Sequence, residues 1–269
     1  MPLDPLNVLA AVMVVSIFGA LSYKTKIVDT SGLIAGFVVG LSVFIFGGWK
    51  WFVTILAFHL IAGAFTKYKY DVKRRLGVAE RKGGARSWKN VLANGGVAMC
   101  FAVIEFALPY DLFFAGFLGA VATACADTLA TEIGMLSKSY PRLITNLKKR
   151  VPPGSSGGIT LLGELAILFA GFVIATITYL VGAISWPLWK LYAVVIGACF
   201  IGSTIDSVLG ATVQAQFRCA KCNKITEWSH HCGVPAIHIS GYRNMDNHAV
   251  NFLATFSGGL TAILLLLAL

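Results

Sequence analysis

Eight stretches of the chain stay apolar for long enough to cross a bilayer, which takes roughly 17 to 25 residues of helix. They cover 7–23, 31–47, 50–66, 90–107, 112–135, 160–182, 188–213 and 250–268. The polar residues between them are shared unevenly. Connections 24–30, 67–89, 136–159 and 214–249 carry most of the charge, while the alternate ones are tight hairpins. The pattern predicts an all-α, polytopic integral membrane protein with about eight transmembrane helices. It reads as a single transmembrane domain over 1–269, with a Cys/His-rich loop, 214–249, inserted between the last two spans. The opening MPLDPLN has no basic n-region and no clear cleavage site follows, so the first span reads as an anchor rather than a cleavable signal peptide.

Composition agrees, at 57% hydrophobic and 13% charged, against about 25% charged in soluble domains. Of the 22 Lys and Arg residues, Arg81 among them, only Lys50 and Lys190 fall outside the four charged connections. Cytoplasmic loops collect cations, so those connections are expected to face the cytoplasm, with both termini outside and the active-site loops cytoplasmic. The net charge of +10 then reflects topology and attraction to anionic lipid. The bilayer is the expected partner, and nucleic acid is not.

A weak internal repeat accompanies this. KNVLANGG (89–96) resembles VNFLATFSGG (250–259), and DTSGLIAGFVVG (29–40) resembles SSGGITLLGELA (155–166). The offset of four spans would make the repeat parallel and place Asn90 and Asn251 at equivalent cytoplasmic entrances.

Ionisable residues inside spans are costly and usually face a protein interior or a cavity. ACADTLATEIGMLS (124–137) carries Asp127 and Glu132, GELAILF carries Glu164, and IGSTIDSVLGATVQ carries Asp206. Their shared shallow depth predicts one cavity. Such carboxylates suit Mg²⁺, which favours one or two carboxylates plus phosphate oxygens. Beside them RVPPGSSGGITLLGE (150–164) places a glycine-rich loop between Lys148, Lys149 and Arg150 and a helix start. A cation cluster and backbone N–H groups at a helix N-terminus form an anion site. Arg86 can grip a phosphate bidentately. Asn90 and Asn94 share a helical face, and Asn247, His248 and Asn251 reach the mouth of the last span. In the 214–249 loop, Cys219, Cys222, His230, His231 and Cys232 offer a Cys₃His or Cys₂His₂ set for structural Zn²⁺.

RSWKNVLANGG, ADTLATEIG, PGSSGGITLLGE and GSTIDSVLGATVQ, in this order, resemble the membrane family that includes the phytyl-phosphate kinases of tocopherol biosynthesis. The resemblance covers about 25–265 and extends distantly to CTP-dependent polyprenol kinases and phosphatidate cytidylyltransferases. It implies an isoprenyl-phosphate kinase that moves a phosphoryl group from a nucleoside triphosphate, CTP by analogy, to a membrane-embedded isoprenyl monophosphate such as phytyl or geranylgeranyl phosphate. Lys148, Arg150, Gly154, Gly157 and Gly158 match the basic and glycine elements that bind CTP in those distant relatives. On this reading Asp127, Glu132 and Asp206 hold Mg²⁺, and Glu164 joins the metal or acts as base. Arg142, Lys149, Ser155 and Ser156 meet nucleotide phosphates with the basic and glycine residues; Arg86, Asn90, Asn94, Asn247 and Asn251 meet substrate. The histidine and the Asp-Arg-x-Asp run that follow the glycine loop in cytidylyltransferases are missing, which favours phosphoryl over nucleotidyl transfer. A cytidylyltransferase making a CDP-lipid and a transporter of an anionic or lipid substrate are the alternatives, and homo-oligomerisation stays open.

Overall fold

The computed structural model describes residues 4–80, 82–184 and 186–269; Arg81 lies outside the described residues. Among the described residues eight helices are long and apolar enough to cross a membrane: α1 (Pro5–Lys24), α2 (Thr30–Ser42, extended by a widened π-helical turn, Val43–Gly47), α3 (Trp49–Lys67), α5 (Trp88–Ala107), α6 (Asp111–Gly134), α7 (Leu161–Leu180), α8 (Leu188–Thr212) and α9 (Asn247–Ala268). Each bound falls within three residues of the predicted one. A short polar helix, α4 (Tyr70–Leu76), lies in the connection after α3.

Local chemistry sets several starts. Pro5 opens α1, where its missing N–H costs nothing. Side-chain oxygens of Asp29, Thr160 and Asp246 accept from Gly32 N, Gly163 N and Ala249 N, capping α2, α7 and α9.

Helix α6 is the axis of the bundle, buried along almost its whole length and packed on α3, α5, α7, α8 and α9. Its run GFLGAVATACA supplies the small residues that let membrane helices approach closely. A Cβ on Gly119 would fall 2.3 Å from Gly258 O, so α6 and α9 touch backbone to backbone. Outward, α1 exposes Leu9, Met13 and Ile17, and α7 exposes Leu165, Phe169 and Phe172. Helices complete their own backbone hydrogen bonds and can present such faces to lipid.

The expectation of an all-helical chain holds for the spans and misses two small antiparallel sheets in the connections. One orders β2 (Asn146–Arg150), β1 (Arg142–Leu143) and β3 (Gly158–Ile159); the other orders β5 (Ile225–Thr226), β4 (Gln216–Cys219), β7 (Val234–Ser240) and β6 (His230–His231). Most of these strands are too short for period-two alternation to show in the sequence. The charged connections converge at one end of the bundle. Asp29 N donates to Arg86 O, Lys73 of α4 pairs with Glu132 at the end of α6, and Ser156 meets Glu227.

Candidate functional site

Two acidic sites lie at this end. In the first, Asp127 of α6 and Asp206 of α8 bring their carboxyl groups within hydrogen-bond reach of each other. Both residues are partly buried, and Asp206 Oδ1 is buried with no hydrogen-bond partner. Carboxylates in contact repel unless a proton or a cation lies between them. A third carboxyl, Glu227, enters from the turn between β5 and β6 and sits within electrostatic reach of both. Its Oε1 accepts a hydrogen bond from Ser156 Oγ at 2.7 Å. Burial pushes the Glu227 carboxyl above its ordinary value, and the Ser156 hydrogen bond opposes that rise. Among the described residues no Lys or Arg comes within ion-pair distance of these three acids.

The glycine-rich loop covers this cluster. Gly157 has a φ of 71°, and a Cβ there would meet Ala211 Cβ at 2.5 Å and Ser207 O at 2.6 Å. Only glycine lets the loop backbone lie on α8 directly beyond Asp206. The loop also spends donors on itself, with Ser155 N bonded to Pro152 O at 3.2 Å and Gly158 N to Ser155 O at 3.0 Å. Gly154 has its own positive φ and packs toward Val78. The expected cradle therefore narrows to the Ser156–Gly157 segment. Lys148, Lys149 and Arg150 project from the exposed strand β2, outside the acid cluster. Arg142 closes that hairpin, its Nη1 donating to Leu147 O at 2.6 Å.

Arg86 stands between the acids and a buried ladder of amides. Its guanidinium is within electrostatic reach of Asp127, but its hydrogen bonds go to Asn90 Oδ1 (2.9 Å) and Thr66 Oγ1 (3.1 Å). Its Nε is buried without a partner. Asn94 Nδ2 donates to Asn90 O at 2.9 Å, and Asn251 Nδ2 to Asn94 Oδ1 at 3.4 Å. The residues of the proposed repeat, Asn90 and Asn251, thus belong to one network linking α5 and α9. Asn247 opens α9, half-buried. Beside this network a groove of about 470 Å³ runs between α5 and α9. Leu92, Gly96, Met99 and Phe252 line it, and Lys89, Asp246 and His248 lie at its polar end.

The second acidic site is closed. Glu132, expected among the Mg²⁺ ligands, pairs with Lys73 at 2.5 Å, and both side chains are almost fully buried. Lys73 Nζ also donates to Phe65 O and Thr66 O. That cation neutralises Glu132 and sets it apart from Asp127 and Asp206. Glu164, in the first turn of α7, is half-buried and is not among the charged neighbours of the Asp127–Asp206–Glu227 group.

In the last connection, ligand atoms of Cys219, Cys222, His231 and Cys232 all lie within 4.8 Å of one another. His230, expected as an alternative ligand, is not in this group; its Nδ1 lies 3.4 Å from Ser229 Oγ. The backbone N–H groups of Cys222 and Lys221 point at Cys219 Sγ and hold that thiol down to about 6.

Glu227 is the residue that sequence reasoning misses. In KITEWSHHC it stands between ligand-like cysteines and histidines, and its signal is an acid set in a stretch otherwise rich in Cys, His and Lys.

The chain belongs to the family described as Integral membrane protein DUF92, which matches residues 13–259 and agrees with the family expected from the motifs. Protein PGR of Arabidopsis thaliana is 34% identical over 91% of both chains. An uncharacterized membrane protein of Methanocaldococcus jannaschii is 25% identical over 97% of this chain and 94% of its own. Protein VTE6, chloroplastic, of Arabidopsis thaliana is 28% identical over 88% of this chain and 65% of its own. No solved structure matches. The protein is thus a multi-pass integral membrane protein with relatives among plants and archaea.

Proposed function

We propose that this family member is an isoprenyl-phosphate kinase, with Asp127, Asp206 and Glu227 at its catalytic centre and CTP as donor. The observation that carries the reading is the convergence of three carboxyls from three separate elements beneath the glycine loop, with no cation paired to them among the described residues. Structural acids in a membrane protein are normally paired. The motif resemblance to the phytyl-phosphate kinases supplies the reaction class, and the relation to Protein VTE6 supports it.

The cluster fits Mg²⁺. Two carboxyls in reach of each other, one with a buried oxygen that has no partner, suit an ion that binds one or two carboxylates plus phosphate oxygens. Asp127 and Asp206 would hold it, with Glu227 closing the site; once bound, it would neutralise charge on the β- and γ-phosphates. The loop at Ser156 and Gly157 lies against the nucleotide, and Lys148, Lys149 and Arg150 attract its triphosphate from the exposed strand. Arg86 grips the acceptor phosphate through its free Nε, held in position by Asn90 and Thr66. The Asn94–Asn251 bond fixes Asn90 in turn. The isoprenyl chain lies along the α5–α9 groove, an open apolar surface with a polar end.

An oxygen of the acceptor monophosphate attacks the γ-phosphorus. The bond from that phosphorus to the β,γ-bridging oxygen breaks, and its electron pair leaves on CDP. The acceptor oxygen is already ionised, so no side chain has to remove a proton; positioning and charge neutralisation carry the rate. The distribution of basic residues supports a cytoplasmic position for the charged loops and so for this centre.

The test is incubation of the purified protein with Mg²⁺, geranylgeranyl or phytyl monophosphate, and CTP labelled at the α- or γ-phosphorus. Label from the γ position in a lipid diphosphate is the expected result. Label from the α position in the lipid would make the protein a cytidylyltransferase and overturn the proposal; so would no transfer from CTP, ATP or GTP.

A further inference from the structure

The turn that delivers Glu227 is clamped at both ends by the cysteine cluster. Cys219 and Cys222 flank the β4–β5 turn on one side, and His231 and Cys232 follow on the other. Glu227 lies five residues after Cys222 and four before His231. His231 Nδ1 is 3.4 Å from Cys222 Sγ and 3.2 Å from Cys232 Sγ. A tetrahedral ion with Zn–S of about 2.3 Å and Zn–N of about 2.0 Å separates sulfur from nitrogen by about 3.5 Å. The observed spacings match that within a few tenths of an ångström.

Two features of the backbone point the same way. Asn223 N donates to Cys219 O and Cys219 N to Lys224 O, each at 3.0 Å, which closes a knuckle around the first cysteine pair. Asn223 takes the left-handed φ of 60° that this turn requires, a conformation asparagine tolerates. At the second pair Cys232 itself sits at φ 54°, a strained position for a residue with a Cβ. Such strain persists where the surroundings over-determine it, and here it aims Cys232 Sγ at His231 Nδ1. Three thiols and one imidazole nitrogen thereby face one another within 4.8 Å.

We propose that Cys219, Cys222, His231 and Cys232 bind one structural Zn²⁺, and that this ion positions Glu227 against Ser156 of the glycine loop. The ion fixes both ends of the short segment whose middle carries Glu227. The 2.7 Å hydrogen bond to Ser156 Oγ then ties the knuckle to the loop over Asp206. Zinc acts as a positioning element for the acid cluster and takes no part in chemistry. Zinc binding is independent of the kinase reading; the part assigned to Glu227 rests on it.

The test uses the full chain purified in detergent without added metal. Elemental analysis is expected to show one zinc per chain, and X-ray absorption three sulfurs and one nitrogen around it. Cys222→Ser and His231→Ala should lose at least 80% of the zinc (about a fivefold loss), while His230→Ala keeps it. Removing zinc with a chelator should speed backbone hydrogen exchange at 225–232 and also at 154–158, through the Glu227–Ser156 link; Glu227→Gln should speed exchange at 154–158 with zinc retained. A parent protein without zinc, or equal zinc loss in His230→Ala and His231→Ala, would overturn the ligand set. Unchanged exchange at 154–158 on zinc removal would overturn the positioning role. A zinc-loaded protein with no phosphoryl transfer would count against the kinase alone.

Discussion

The two acidic sites at the loop end of the bundle differ in one respect that separates structure from function. Glu132 is met by Lys73, whose ammonium is completed by two backbone carbonyls. Asp127 and Asp206 meet each other, while Glu227 stands within electrostatic reach of both and is held by a serine hydroxyl. The first site satisfies every charge it buries and therefore has nothing to offer a ligand. The second leaves a buried carboxylate oxygen without a partner, which is a poor way to hold helices together and a good way to bind a cation. Partnering, and not burial or depth, distinguishes them.

The largest effect should come from breaking the closed site. Lys73→Met leaves Glu132 buried and alone, and is expected to cost about 3 to 5 kcal/mol, read as a fall in thermal stability in detergent. Replacing both residues with Met should restore most of that loss, because an apolar pair of similar volume needs no counter-charge. The open site should behave in the opposite sense. Asp127→Asn or Asp206→Asn is expected to lower kcat by at least about 100-fold with stability unchanged or raised, since a repulsion has been removed. Activity and melting measurements on the same preparations would show the contrast.

Glu227 lies between these extremes. Glu227→Gln should lower metal affinity or activity by roughly 10- to 100-fold. Burial raises its folded-state pKa above the ordinary 4.5, so the folded protein holds that proton longer than the unfolded chain. Its contribution to stability is complete below 4.5 and is lost as pH rises through the folded value. Metal-free thermal melts should therefore show stability falling with rising pH above about 4.5, and Glu227→Gln should flatten that slope. The smallest effect belongs to Asp29, the cap of α2. Hydrogen bonds from Lys82, Ser31 and Gly32 hold it down to about 2. Its stabilisation is present above its ordinary 3.8 and lost as pH falls through about 2, and Asp29→Ala should cost about 1 kcal/mol.

The sequence makes the spans legible because twenty apolar residues in a row have few other uses. It also marks Asp127 and Asp206, since an acid within a span declares itself. It cannot separate Glu132 from them: its partner Lys73 lies 59 residues away in a loop whose cations all look alike. Nor does it show Glu227, whose role comes from how β4–β7 fold over the bundle. The glycine loop is legible as a loop, but the packing of Gly157 on α8 is a tertiary fact. Likewise Asn90, Asn94 and Asn251 read as a candidate substrate face, but that they bond to one another between α5 and α9 is a tertiary fact.

If partnering decides function, the open acidic site binds the cation and the closed one does not. Mn²⁺ titration followed by electron paramagnetic resonance, with and without CTP, tests it on the parent, Asp127→Asn, Asp206→Asn and the Lys73→Met/Glu132→Met double variant. Each aspartate variant is expected to weaken Mn²⁺ binding at least about tenfold, while the double variant binds like the parent. Parent-like binding in both aspartate variants, or loss of binding in a folded double variant, would contradict it.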